Sequence, residues 1–470
     1  MIKSFVSLSR CISRVSYRFV PRALSTEATD EIFDDKNYDS IAKSVLHGTT
    51  TGHDLLVLQP YVKWGPQKKI NTKADLELEE ATALVSTLAS WSVVGQMVVP
   101  LESIEKKKVF GKGKLEELKQ LVRKNKKING VFISLKYLTL SQKRELETLF
   151  RVPVFDRFTI VIQIFKENAV TKHAKLQVAL AELPYIRNLL LSETSNVQLG
   201  SGMSPEALRC TLHARETKLK EEMKKCQIYH HTLEKNKQQR KIPLVAVVGY
   251  TNAGKTSIIK ALTGEKKLQP KNSLFATLDV TLHQGLLPSR LKVLYIDTVG
   301  FMSDLPESLL ECFVATLDHV AYADAILHIC DGSHPDLVRQ RDHVFKTLQG
   351  LRNLPPNFLD RVVTVRNKCD KPQTDVTFED DLPVSATNGT RLAFLQKIIE
   401  SVVMQTTNRK VMVFKVPMGG EEAQWLYKET AVCEAEADPD DSQFIMLKVV
   451  ISDVQIGKFR SYFVKRRLAG

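Results

Sequence analysis

Directly behind the apolar run PLVAVVG (243–249) stand Gly249-Tyr250-Thr251-Asn252-Ala253-Gly254-Lys255-Thr256, followed by Ser257. This is the G-x-x-x-x-G-K-[ST] pattern in the strand–loop–helix setting it requires, a setting that a chance match in a loop would lack. The glycines let backbone N–H groups wrap phosphate oxygens, and the N-terminus of a helix beginning near Ser257 favours negative charge. Lys255 is placed to reach β- and γ-phosphates as the catalytic cation, and the Thr256 hydroxyl to ligate Mg²⁺. The whole stretch, from Gly249 to Ser257, is therefore expected to line a nucleoside triphosphate.

Asp297-Thr-Val-Gly300 ends a second apolar run, LKVLYID (291–297). There Asp297 would hold Mg²⁺ through water, while the Gly300 N–H senses the γ-phosphate and contributes to hydrolysis. Asn367-Lys368-Cys369-Asp370 ends a third run, RVVTVRN (361–367). A carboxylate at Asp370 can accept from both the ring N–H and the exocyclic amine of guanine, which adenine cannot match. Asn367 braces this loop, and the Lys368 stem can cover the base. Ser385-Ala386-Thr387, after the strand-like LPVS, would bring a backbone N–H towards guanine O6. Between the first two motifs, Phe275-Ala276-Thr277-Leu278-Asp279 places Phe275 beside the nucleotide. It offers Thr277 as second Mg²⁺ ligand and hydrolytic residue, with Thr281 and Thr263 as rivals. D-x-x-G or S-A alone would mean little; their order after the phosphate loop gives them weight. Many GTPases orient the attacking water with a glutamine after the D-x-x-G glycine. Phe301 stands there in this chain, so slow intrinsic hydrolysis is expected.

The elements that must position these residues are legible as texture. PLVAVVG, LKVLYID, AILHICD (325–331) and RVVTVRN are nearly continuous apolar strands, the mark of a largely parallel sheet buried on both faces. Upstream, LLVLQP (55–60), VVGQMVVP (93–100), GVFIS (130–134) and VPVFD (152–156) alternate with helical stretches at 74–90, 114–126 and 141–150. Residues 172–191 and 205–240 read as two helices around a short polar loop, an antiparallel hairpin whose weak apolar stripe is either exposed or covered. After 405 the order is strand 411–417, helix 420–429, strand 431–437, strand 444–451 and helix 453–463. The expected fold class is α/β: a P-loop GTPase domain with an N-terminal α/β domain, a helical hairpin linker and a small C-terminal α+β domain. The boundaries are 1–26 for a targeting segment, 27–54 for a flexible lead-in, 55–171, 172–241, 242–405 and 406–470.

Charge adds a partner class. The net charge is +14. Residues 106–127 hold ten basic residues against Glu116 and Glu117. Arg215, Lys218, Lys220, Lys224, Lys225, Lys237, Arg240 and Lys241 follow, then Lys465, Arg466 and Arg467. Such clusters are a footprint for phosphate backbones, although for the long helix, with Glu206, Glu216, Glu221 and Glu222, a solvated face fits equally. Residues 1–26 carry Lys3, Arg10, Arg14, Arg18 and Arg22, many serines and no acid, the description of a mitochondrial transit peptide. A disordered basic tail or a secretory signal are the alternatives, the latter opposed by the charges breaking the apolar stretch. No apolar run of about 18 residues occurs, so no membrane insertion is expected. The seven cysteines are scattered without C-x-x-C pairs, which argues against a zinc site.

GYTNAGKTS, FATLD, DTVGFMSDLP and NKCD resemble the nucleotide motifs of HflX-type GTPases. Gly111-Lys-Gly-Lys114-Leu-Glu-Glu, Phe155-Asp156-Arg157 with Ile164-Phe165, and Leu176-Gln177-Val-Ala-Leu-Ala-Glu-Leu resemble that family's upstream segments, so the likeness covers about 55–405. It implies GTP/GDP and Mg²⁺ as cofactors, a GTP-hydrolysing switch, and binding to the large ribosomal subunit and its rRNA in subunit splitting, recycling or assembly. With the transit peptide, the chain resembles a mitochondrial (matrix) member bound to the mitochondrial ribosome large subunit; a monomer is expected. One departure stands out: the family's Arg- and Gly-rich hairpin loop is here SNVQLGSGMSPEAL, without a basic residue before Arg209. Two other readings stay open, a non-ribosomal mitochondrial GTPase and an RNA-binding scaffold with a slow nucleotide site.

Overall fold

The computed structural model describes residues 38, 41–42, 52–62, 73–101, 108–191, 204–235 and 242–464, apart from short stretches within the last range (271–272, 279, 304, 306–308, 310–319, 352–353, 356, 375, 377 and 379). The proposed transit peptide, Lys106, Lys107, Asp304 and the basic tail 465–467 lie outside the described residues.

Strands β1 (Asp54–Val62), β2 (Ser92–Leu101), β3 (Gly130–Ile133) and β4 (Val154–Asp156) form a parallel sheet in the order β2-β1-β3-β4. Helices α1 (Ala74–Thr87), α2 (Lys112–Lys124) and α3 (Leu140–Phe150) make the crossovers that parallel pairing demands. Asp156 caps the next helix, α4 (Arg157–Asn168), accepting from the Thr159 N–H at 2.9 Å. The sequence pattern does not announce α4, because RFTIVIQIFKEN is apolar on nearly every side and has no 3.6-residue stripe to read. It is buried from Arg157 to Phe165 apart from half-buried Gln163, with only Lys166 and Glu167 at its end exposed, and its apolar residues join the core shared with the nucleotide-binding half.

Helices α5 (Lys172–Leu191) and α6 (Pro205–Lys235) pack together as the expected hairpin. The weak stripe of α6 is covered: Leu208, Leu212, Leu219 and Met223 are buried. Residues 236–240, expected to continue this helix, lie outside the described residues. The lead-in 27–54 departs from expectation where it is described. Tyr38, Ile41 and Ala42 are helical, and Tyr38 and Ile41 are buried. The Tyr38 hydroxyl donates to buried Glu182 at 3.1 Å, and the Arg215 guanidinium lies 4.9 Å over its ring. A phenol that finds both an acceptor and a cation on the hairpin is held there rather than left in solvent.

The second sheet holds β5 (Leu244–Gly249), then helix α7 (Lys255–Thr263), β6 (Thr281–Leu286), β7 (Lys292–Asp297), β8 (Ala325–Asp331), helix α8 (Leu337–Gln349), β9 (Val362–Asn367) and β10 (Leu382–Pro383), with helix α9 (Leu392–Thr406) after it. The order is β10-β9-β8-β5-β7-β6, parallel except for the β6–β7 pair. Alternation along β5 divides two cores. Val245 and Val247 face Ile258, Ile259, Leu395 and Ile399 of α7 and α9. Ala246 and Val248 face a core that continues without interruption into α4, α5 and the first sheet.

A three-stranded antiparallel sheet, β11 (Arg409–Pro417), β12 (Ala431–Ala437) and β13 (Phe444–Ser452) in the order β11-β13-β12, carries α10 (Glu421–Glu429) and α11 (Asp453–Phe459). No described helix is long and apolar enough to cross a membrane.

Candidate nucleotide-binding site

The first three motifs end parallel strands of one sheet: Gly249 ends β5, Asp297 ends its neighbour β7, and Asn367 ends β9, which lies beyond β8. Their loops therefore meet at the carboxyl edge of the sheet, where open α/β folds bind ligands. The phosphate loop needs its glycines. Gly254 adopts φ +93°, and a Cβ there would lie 2.3 Å from Asn367 Nδ2. The helix then begins at Lys255, slightly ahead of the position expected.

Lys255 is 7% exposed, and its ammonium donates to the loop's own carbonyls, Tyr250 O at 2.9 Å and Gly249 O at 3.3 Å. Burial lowers its pKa to about 8, with the Asp297 carboxylate opposing that shift. A group so disposed gains from an arriving phosphate, which replaces two neutral carbonyls by anionic oxygen.

Three candidate metal ligands converge. Thr256 Oγ1 donates to Asp297 Oδ2 at 2.7 Å, Thr277 Oγ1 to the same oxygen at 3.2 Å, and the two hydroxyls are 3.3 Å apart. The rivals go elsewhere, Thr281 to His283 and Thr263 to the Ile259 carbonyl. Burial raises the Asp297 pKa, and the Thr256 hydroxyl opposes it. Asp297 Oδ1 is buried and has no partner among the described residues. Two hydroxyls and a buried carboxylate with an unused oxygen suit a hard divalent cation such as Mg²⁺.

On the base side, Asn367 braces the loops as expected: its Nδ2 donates to Ala253 O at 2.9 Å and its Oδ1 accepts from the Ala386 N–H at 3.2 Å. One backbone N–H of the Ser385–Thr387 stretch, that of Ala386, is thus held on Asn367. Lys368 donates to Asn252 O at 2.9 Å and to Asp331 at 2.6 Å, which fixes its stem across the loop. Asp370 accepts from the Ser385 hydroxyl at 2.6 Å, which lowers its pKa and keeps it anionic for a base edge. Thr387 is exposed. Thr251, Asn252, Gly254, Lys255, Thr256, Ser257, Phe275, Thr277 and Gly300 line one cavity.

The switch side is held from outside the nucleotide sheet, a feature the motifs do not reveal. Phe275, at φ +53°, turns its ring edge-on against Phe165 of α4, with centroids 4.9 Å apart. Asn168 donates to the Phe275 carbonyl at 3.1 Å, and Thr87 accepts from the Leu274 N–H at 3.3 Å. Tyr250, inside the phosphate loop, sends its hydroxyl away from the cavity to Glu80 at 2.7 Å and Ser303 Oγ at 2.9 Å. It also accepts from the Ser303 N–H at 2.9 Å. Arg157 pairs with Glu80 and donates to Ser303 O, and Arg339 joins Ser303 Oγ to Glu77. Glu77, Glu80 and Arg339 carry no signal in the sequence, Ser303 is marked there only as part of DTVGFMSDLP, and Arg157 only by its Asp-Arg step.

Comparison with known proteins agrees. Residues 75–166 match the family described as GTP-binding GTPase N-terminal, and residues 244–368 match the family described as 50S ribosome-binding GTPase. Fold and site together define a P-loop protein of the guanine-nucleotide class. The human "Putative GTP-binding protein 6" is 43% identical over 417 residues, 87% of this chain and 80% of that protein. GTPase HflX of Lacrimispora saccharolytica is 32% identical over 354 residues, 72% of this chain and 81% of that one. A solved GTP-binding protein of Sulfolobus solfataricus in complex with GDP aligns over 75% of this chain and 99% of its own, at 22% identity and TM-score 0.41. This chain belongs to the HflX-type GTPase family.

Proposed function

We propose that the protein is a GTP-hydrolysing switch of the mitochondrial matrix that acts as a monomer on the large ribosomal subunit, in subunit splitting, recycling or assembly. The observation that carries the nucleotide chemistry is the meeting of Thr256, Thr277 and Asp297 within 3.3 Å, with Lys255 beside them. Thr256 and Thr277 would hold Mg²⁺ directly and Asp297 through water; bound there, the ion neutralises developing phosphate charge. Lys255 and the Gly300 N–H receive the β- and γ-phosphates, and Asp370 reads guanine. The targeting reading rests on the Arg-rich, acid-free first 26 residues.

The ribosomal partner is supported by the surface around α2. There Lys114 and Lys119 pair with Glu117 and Glu116. Lys108, Lys112, Arg123, Lys124, Lys126 and Lys127 are exposed around the same helix. A cationic face without an aromatic reading platform suits the phosphate backbone of structured RNA. Co-sedimentation of the mature protein with mitochondrial ribosomal subunits tests this. Binding to the large subunit that is stronger with a non-hydrolysable GTP analogue than with GDP, and that weakens steeply with salt, is expected. Retention on neither subunit in either state would contradict it.

A further inference from the structure

Hydrolysis requires a water held in line with the phosphorus–oxygen bond that breaks. The residue after Gly300 cannot hold it. Phe301 is 4% exposed within the apolar core, and its backbone is committed to the phosphate loop. Its N–H donates to Gly249 O at 3.0 Å, and its carbonyl accepts from the Thr251 N–H at 2.8 Å. That pairing brings Thr251 against the D-x-x-G turn. A Cβ on Gly300 would lie 2.8 Å from Thr251 Cα, 2.9 Å from Thr251 Cγ2 and 2.9 Å from Lys255 Nζ. Thr251 lines the nucleotide cavity and is 7% exposed, and its Oγ1 is buried with no hydrogen-bond partner among the described residues. The three other threonines lining the cavity are committed, Thr298 to the Val247 carbonyl and Thr256 and Thr277 to Asp297.

We propose that the Thr251 hydroxyl positions the attacking water for GTP hydrolysis, a role that rests on the GTPase reading above. Its neighbours Gly300 and Lys255 place it on the γ-phosphate side of the loop. Asn252, next in the chain, is tied through its carbonyl to Lys368 on the base side. Thr251 Oγ1 accepts a hydrogen bond from the water and aims its lone pair at the γ-phosphorus. The water oxygen forms the new bond to phosphorus as the bond to the β–γ bridging oxygen breaks. The bridging oxygen keeps the electron pair and leaves with GDP, and a water proton passes to a γ-phosphate oxygen, giving dihydrogen phosphate. No further reactant is consumed. A buried hydroxyl without a partner in the free protein gains one only when water and nucleotide arrive.

Thr251→Val in the full chain keeps the shape and removes the hydroxyl, and Thr251→Ser keeps the hydroxyl. Single-turnover hydrolysis, with the protein and Mg²⁺ in saturating excess over GTP, is read beside GDP affinity. The valine variant is expected to hydrolyse about tenfold more slowly or worse, with GDP affinity within about twofold, and the serine variant to recover to within about threefold. Thr251→Ala, which removes both the hydroxyl and the methyl, should repeat the valine result. Wild-type hydrolysis in the valine and alanine variants overturns the proposal. So does equal slowing of valine and serine variants, which marks a packing role, or a loss of GDP affinity as large as the loss of rate. Failure of the unaltered protein to bind guanine nucleotide would instead remove the GTPase reading beneath it.

Discussion

On the base side of the nucleotide site, Asn367, Lys368, Asp370 and Ser385 find their partners on turns of the same sheet: Ala253, Asn252, Asp331 and one another. On the switch side, Leu274 and Phe275 are held by Thr87, Phe165 and Asn168, and Ser303 shares Tyr250, Arg157 and Arg339 with Glu77 and Glu80. Recognition of the base and response to the γ-phosphate are thereby separated. These base-side contacts all lie within the nucleotide sheet and its loops. A shift of Phe275 or Ser303 would break contacts to α1 or α4, so under the proposed function a change at the phosphates would be felt by the N-terminal sheet.

The comparison breaks most visibly at Asp370. Asp370→Asn exchanges the acceptor for a donor and should cost about a hundredfold or more in GTP affinity while admitting xanthine nucleotides. Competition against a fluorescent GDP analogue reads this, and urea unfolding should shift little, because the side chain serves the ligand. Wild-type GTP affinity in this variant would place the base elsewhere. Tyr250→Phe acts on the opposite side. It strips buried Ser303 and part-buried Glu80 of a shared partner and should lower stability by about 1–3 kcal/mol without altering guanine-over-xanthine preference. A changed base preference would join the two sides that the structure separates.

The smallest effect is on pH. Burial holds Lys255 at about 8 in the free protein, and phosphate contact favours its charged form, so the bound pKa lies higher. Below about pH 8 the free protein already carries the proton and affinity is flat. Above it, binding must take up a proton, and GDP affinity should fall by about tenfold between pH 7 and pH 9. Titrations across that range check the sign; affinity that rises with pH would contradict it.

What the sequence reveals follows the same division. The phosphate loop, Asp297, Thr277 and the Asn367–Asp370 turn are legible because their chemistry demands fixed residue types at fixed spacing behind apolar strands. The clamp on the switch side is not, because Glu80, Arg157, Ser303 and Arg339 come together only after two sheets pack. Helix α4, which brings Phe165 and Asn168 to the switch, is hidden for a related reason. It is buried nearly all round from Arg157 to Phe165, so its apolar residues trace no stripe. The docked Tyr38 and Ile41 escape notice because their polar surroundings read as a lead-in, whereas Tyr38 finds an acceptor and a cation on the hairpin.

In the proposed switch the hydrolytic step stays slow until a ribosomal partner is engaged. Single-turnover GTP hydrolysis, measured with and without purified mitochondrial large ribosomal subunits, tests that most directly. An acceleration of at least about tenfold, roughly 1.4 kcal/mol of barrier, is the predicted result. Fast hydrolysis by the isolated protein, unchanged when subunits are added, would contradict it.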